Sequence, residues 1–243
     1  MEECRADARE EAVVRVSEKA TILTRLATLV GSDLPDRPLT DRLCHACQHL
    51  LGVDSAAITV QSDETSWVTL CATSVVAARL EDLQDVIGEG PSRDAFLYGK
   101  LTVTTLGDDS DRRWPEFHRA VQSDAPGIYY ALPMRPGAEV LGVLSLYRRD
   151  AAPLAEPLDT AQFLSDAVGA ALLRDPLAYE GQQGTGSWAA RAEVHQATGM
   201  VIAQMNLAPD DALAVLKAHA YALGTTLAEV ASRVVRRELE FGR

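Results

Sequence analysis

The chain has 243 residues, 47% of them hydrophobic and 24% charged, with a formal net charge of −12. That apolar content can fill the core of one large domain or two small ones, while the acidic balance excludes general affinity for nucleic acid, which needs phosphate-neutralising basic patches. No apolar run approaches the ~18 residues of a membrane span. The start, Met1-Glu2-Glu3-Cys4-Arg5, is acidic and polar rather than a signal peptide, and four cysteines without an export signal point to a reducing cytosol.

Residues 5–30 are predicted to form one helix. Val13, Val16, Ala20, Leu23, Ala27 and Val30 fall at alternating steps of three and four, an a/d stripe suited to pairing with a second copy. Ile22, Leu26 and Leu29 widen the stripe, so it also suits packing on the helix's own domain. Gly31–Pro38 is rich in breakers. A helix is predicted over Leu39–Leu51, ended by Gly52, then strands over Ser55–Gln61 and Trp67–Thr73 across a Ser62-Asp63-Glu64 turn. Val75–Asp85 reads as a helix, Gly88–Ala95 as a glycine-shaped loop, and Leu101–Thr104 as a short strand. Trp114–Ser123 suits a helix, with Asp111 as its cap and Pro115 in its first turn. Strands over Ile128–Met134 and Glu139–Arg148 form a hairpin across Pro136-Gly137, and Leu158–Leu173 is helical. The order implies an antiparallel sheet with helices on its face. Arg174–Ser187, with Pro176, Gly181, Gly184 and Gly186, lacks apolar periodicity and reads as a linker.

Three short helices follow. Ala190, Val194, Ala197, Val201 and Met205 share a face of the first, and Asn206 can take the left-handed conformation that ends it. Pro209 opens the second, Ala212, Leu213, Leu216, Ala220 and Leu223 form its stripe, and Gly224 stops it. Thr226-Leu227-Ala228-Glu229 is a capping box that starts the third, whose buried face is Leu227, Val230, Ala231, Val234 and Val235. Residues 188–243 hold six basic and six acidic residues, which leaves 17 basic and 29 acidic upstream, so the whole net charge lies before this segment.

Ala197-Thr198-Gly199-Met200, Asp211-Ala212, Leu216-Lys217-Ala218-His219-Ala220 and Leu227-Ala228-Glu229-Val230-Ala231 resemble the ANTAR domain, a three-helix RNA-binding module of antitermination regulators. Two positions depart from that family's pattern: Thr198 stands in place of a lysine, and Lys217 in place of an arginine, keeping the charge without the planar fork. Upstream, Gly88-Glu89-Gly90-Pro91-Ser92-Arg93-Asp94-Ala95, Trp114-Pro115-Glu116-Phe117, Ala131-Leu132-Pro133-Met134 and Val140-Leu141-Gly142-Val143-Leu144 resemble a GAF domain of the actinobacterial kind.

Together these readings predict an α+β sensor followed by an all-α bundle: an N-terminal helix over 1–38, a GAF domain over 39–173, a linker over 174–187 and an ANTAR domain over 188–243. The ANTAR resemblance implies RNA contacts at Gln196, Thr198, Gly199 and Lys217, assisted by Arg233, Arg236 and Arg237, which recur at helical spacing. The basic trio also fits a solvated face complementing a helix C-terminus. The GAF resemblance implies a small-molecule pocket, with Trp67, Gly90, Ser92, Trp114 and Tyr130 as its lining; each aromatic also fits a packing role. Cys44-His45-Ala46-Cys47 has metal-like spacing without the second pair a zinc site needs, and packing is the expectation there. No metal or cofactor is expected. The function implied is a cytosolic, homodimeric, non-enzymatic regulator that binds hairpins in nascent transcripts, where loops expose unstacked bases. Its rivals are a DNA-binding regulator, a protein-interaction module that has lost RNA binding, and a GAF-type reductase. A reductase needs a cysteine set that this chain lacks, and relatives often carry Cys where Ser92 stands.

Overall fold

The computed structural model describes residues 2–241 except 33, 35, 62–66, 108–110, 122–125, 151 and 176–186, and for 2–16, 187–192 and 210 the backbone alone. The expected turn at Ser62–Glu64, most of the expected linker and the side chains of Val13, Val16 and Ala190 lie outside the described residues.

Five strands form one antiparallel sheet in the order β2-β1-β5-β4-β3. They are β1 (Ser55–Gln61), β2 (Trp67–Ala72), β3 (Thr102–Leu106), β4 (Gly127–Met134) and β5 (Gly142–Arg148). Side chains alternate between the two faces of a strand. On one face Ala56, Ile58, Val60, Tyr130, Leu132, Met134, Leu144 and Leu146 meet helices α1 (Glu2–Ser32), α2 (Leu39–Leu51) and α6 (Leu158–Arg174). On the other face Tyr129, Ala131, Val143 and Tyr147 meet α3 (Val75–Ile87), α4 (Pro91–Tyr98) and α5 (Pro115–Val121). Helices thus cover both faces of the sheet, where the element order alone pointed to one. Two successive residues of β2, Leu70 and Cys71, join the same apolar core because the β1–β2 register shifts between Ile58 and Thr59, the signature of a β-bulge on an edge strand.

Several sequence expectations are met at residue resolution. Gly52 and Gly224 close α2 and a C-terminal helix in the left-handed conformation. Helix α4 replaces part of the expected Gly88–Ala95 loop: Gly90 is its N-cap and Pro91 its first residue, where a missing amide costs nothing. The α5 N-terminus is not capped by Asp111, which instead binds Arg113 and Thr104. Its Glu116 and Phe117 amides donate to the Glu89 carboxylate at 2.7 and 3.1 Å.

Helix α1 divides its residues between two environments. Ile22 and Leu26 are buried and Leu29 half-buried in the domain core, whereas Ala20, Leu23 and Ala27 of the expected dimer stripe face outward. The C-terminal bundle comprises α7 (Ser187–Met205), α8 (Pro209–Leu223) and α9 (Leu227–Val235). Its core is Ala197, Val201, Ala212, Leu216, Ala220, Leu227, Val230, Ala231 and Val234. Leu213, Val194 and Val235 pack at its margin, while Met205 and Leu223 are exposed. Asn206 is left-handed with φ 54°, and both halves of the Thr226–Glu229 capping box are present.

Candidate functional site

Two groups of residues stand out, one on the bundle surface and one inside the sheet domain. On α7, Gln196 and Gly199 are exposed and, three apart, share a face. A Cβ at Gly199 would meet nothing within 4 Å, so its backbone is open to close approach. Thr198 is half-buried, and its hydroxyl donates to the Val194 carbonyl of its own helix at 2.8 Å, a local bond typical of Thr in a helix.

The expected arginine stripe takes a different form. Arg233 is exposed on α9, but the helix ends at Val235. Arg237 is left-handed with φ 59°. The Glu238 amide bonds the Arg233 carbonyl at 2.8 Å and the Arg237 amide bonds the Val234 carbonyl at 2.9 Å, a Schellman ending with arginine in the position usually held by glycine. Arg236 and Arg237 therefore belong to an exposed turn rather than to a helical face. Spacing alone cannot register this, because the left-handed residue is not one of the usual stop signals.

Lys217 leaves the bundle altogether. Its ammonium donates to the Asp85 carboxylate at 2.9 Å and to the Asp85 carbonyl at 3.3 Å, and the paired side chains are only 19% and 20% exposed. Asp85 also pairs with Arg93 at 3.2 Å, and that guanidinium lies over the Trp67 ring. One turn away, the Asp82 carboxylate accepts the Leu227 amide at 3.0 Å. Val86 packs against the bundle core, and the Tyr221 hydroxyl donates to Glu116 at 3.1 Å. Helix α3 therefore holds the bundle through two carboxylates and an apolar side chain.

The inner side of α3 carries the second group. Glu81 and Gln84 are buried. Glu81 accepts from Tyr129 and, at 2.9 Å, from Thr59, which lies 3.1 Å from Thr69. Ser92 lies 2.7 Å from the Tyr129 hydroxyl and 3.0 Å from that of Ser145. Gln84 accepts the Ser92 amide at 2.7 Å and donates to Tyr129 at 3.0 Å. Burial pushes the Glu81 carboxyl above its usual range, against the pull of Tyr129, Ser145, Thr59 and Ser92; burial, then the neighbouring Glu81, likewise raises the Tyr129 phenol. Gly90, with φ 147°, is required here, since any Cβ would drive into the Gln84 side chain.

Of the five expected pocket residues, Ser92 sits at the centre of this network and Gly90 beside it. Trp67 meets Phe96 edge-on, and Trp114 is buried beneath the Arg113 guanidinium. Tyr130 points into the opposite, apolar core. The five thus do not enclose one space. A cleft of about 640 Å³ opens instead between the end of α1 and α2, with Ser32, His45 and His49 among its lining.

Glu81, Gln84, Asp82 and Asp85 are missing from the sequence-derived set. The signal for the first two was present: they fall at helical spacing with buried Ala77 and Leu80, placing polar groups on a core stripe. Cys44, Cys47 and Cys71 are buried thiols. Burial, helped by Cys71, raises Cys44 well above the usual value, and burial pushes Cys47 up to about 12, so both are neutral packing groups at neutral pH. His118 is buried beside Trp114 and Phe117, with one ring nitrogen 3.4 Å from the Thr104 hydroxyl.

No curated protein matches this chain. Similar solved structures include the second GAF domain of DevS from Mycobacterium smegmatis, 19% identical, covering 59% of this chain and 95% of that one with a TM-score of 0.41. Others are the nlh2 GAF domain of A. aeolicus (15% identity, 68% and 97% covered, TM-score 0.42) and the GAF domain of an Acinetobacter phosphoenolpyruvate-protein phosphotransferase (12%, 69% and 97%, 0.43). Residues 185–235 match the family model of the ANTAR domain, so the chain carries an ANTAR-type helical bundle behind its antiparallel sheet domain.

Proposed function

We propose that this chain is a cytosolic, non-catalytic regulator that binds hairpin RNA in nascent transcripts and favours antitermination. The ANTAR match over residues 185–235 carries this reading. The bundle supports it with an open Gly199 backbone, exposed Gln196 and the exposed cations Arg233, Arg236 and Arg237. The sheet domain, by the GAF-like motifs in its sequence, serves as a sensor of a small molecule, as a dimerisation module, or as both. Among the described residues no helix is long and apolar enough to cross a membrane.

A labelled RNA hairpin and a labelled DNA duplex, each titrated with the full chain, separate this reading from a DNA-binding one. Preferred hairpin binding is expected. Replacing Arg233, Arg236 and Arg237 together by Ala should weaken it and flatten the salt dependence by about one counterion per lost phosphate contact. Wild-type affinity and salt slope in that variant would move the RNA surface elsewhere. Absence of hairpin binding at every ionic strength would leave a protein-interaction module. The homodimer rests on outward-facing Leu23; Leu23→Glu should give monomers in light scattering, because a charge cannot be buried unpaired in the seam.

A further inference from the structure

We propose that α3 is the coupling element of this protein: its outer side holds the bundle in an RNA-silent dock, and its inner side reads the polar interior of the sheet domain. The inference rests on the RNA-binding reading above and specifies how that binding is gated.

The outer side comes first. Lys217, the residue that the bundle's motif offers to a phosphate, spends its ammonium on Asp85, with both side chains four-fifths covered. A carboxylate and a phosphate compete for the same cation and the same space. An RNA approaching Lys217 must therefore displace Asp85 and, with it, the Val86 contact. The Leu227 amide is one of the first amides of α9, which have no intrahelical acceptor. Its bond to Asp82 comes from the other domain, so undocking leaves that amide to water.

The inner side supplies the input. Glu81 and Gln84 are the sequence neighbours of Asp82 and Asp85, about 100° round the same helix, and are buried where those two are only partly covered. They are tied to Tyr129 and Ser92 in a fully buried network. A helix is stiff over two turns, so it cannot shift its inner side without moving the outer one. Any event that rearranges Glu81 or Gln84 changes the position of the two docking carboxylates. Arg93 reinforces the link, bonding both the Gln84 carbonyl at 3.0 Å and the Asp85 carboxylate.

The test uses the full chain with two independent opening variants, Asp85→Asn and Val86→Ser, and two readouts. Hydrogen exchange at the Leu227 amide reports the dock without RNA; titration with a labelled hairpin reports the gate. Both variants should speed exchange at Leu227 and tighten hairpin binding on the order of tenfold, within the usual range of intramolecular coupling. Adding Lys217→Ala to Asp85→Asn should cancel the gain. Faster exchange with wild-type hairpin affinity would show a dock that gates nothing, and overturn the proposal. Unchanged exchange in both variants would show that α3 does not hold the bundle, and overturn it too. If Leu227 exchanges freely in the variants and no chain binds any hairpin, the RNA reading itself is what fails.

Discussion

The two faces of the sheet are built on opposite principles. The face under α1, α2 and α6 is apolar: Ile58, Leu132, Leu144, Leu146, Leu164 and Leu172 are fully enclosed. The face under α3 and α4 places Glu81, Gln84, Ser92, Thr59 and Ser145 at comparable depth. Apolar packing is non-directional, whereas a buried network holds only in the geometry that satisfies every member. The first face is therefore a foundation and the second a part whose arrangement can be switched.

The sharpest way to break this contrast is on the apolar side. Leu132→Ala should cost about 2–5 kcal/mol by leaving a cavity, seen as a lower midpoint in denaturant. Tyr129→Phe, on the same strand but on its polar side, should cost about 1–3 kcal/mol, the penalty for leaving a buried partner unsatisfied. Its distinguishing sign is faster Leu227 exchange, which Leu132→Ala should not produce at matched stability. A result in which both variants loosen the dock equally would erase the distinction between the faces.

The smallest effect is a pH dependence. Burial pushes Asp82 from 3.8 up to about 6, helped by Asp85 and Glu229 and opposed by the Leu227 amide and Lys217. A carboxyl raised in the native state holds its proton more tightly when folded. Its contribution to stability is therefore full below about pH 4 and lost as pH rises through about 6. The wild-type denaturation midpoint should fall across that window more than that of Asp82→Asn, which keeps the acceptor for Leu227 but cannot ionise. Parallel profiles would show that Asp82 titrates normally.

Much of this was legible in the sequence. Asn206, Gly224 and the Thr226–Glu229 box set the bundle's ends because capping is decided within a few residues. The strands over 55–61 and 128–134 were visible from β-branched and apolar runs for the same reason. The misses are of two kinds. Tyr129 and Tyr130 suit a pocket lining equally by residue type, yet Tyr129 faces the polar side and Tyr130 the apolar core; in a strand, one position is the whole difference between two environments. Helix α4 hid behind its glycines, although Pro91 in its first turn was a readable start. The Asp85–Lys217 pair joins residues 132 apart, and no local pattern encodes a contact at that distance. The same holds for Asp82 and Leu227, so the surface that α3 presents to the bundle required the fold.

The bulge in β2 has a consequence for how the gene can change length. Leu70 is the extra residue between the Ile58–Cys71 and Thr59–Thr69 pairings. Removing it would forfeit one buried side chain, yet would leave Trp67, Val68 and Thr69 on the faces they now occupy. A deletion at Val60 would instead invert everything beyond it, and one at Thr69 would turn Leu70 to the polar face beside Thr59. Codon 70 is thus the place in this sheet where an in-frame loss is absorbed most cheaply, and where a relative one residue shorter would carry its gap.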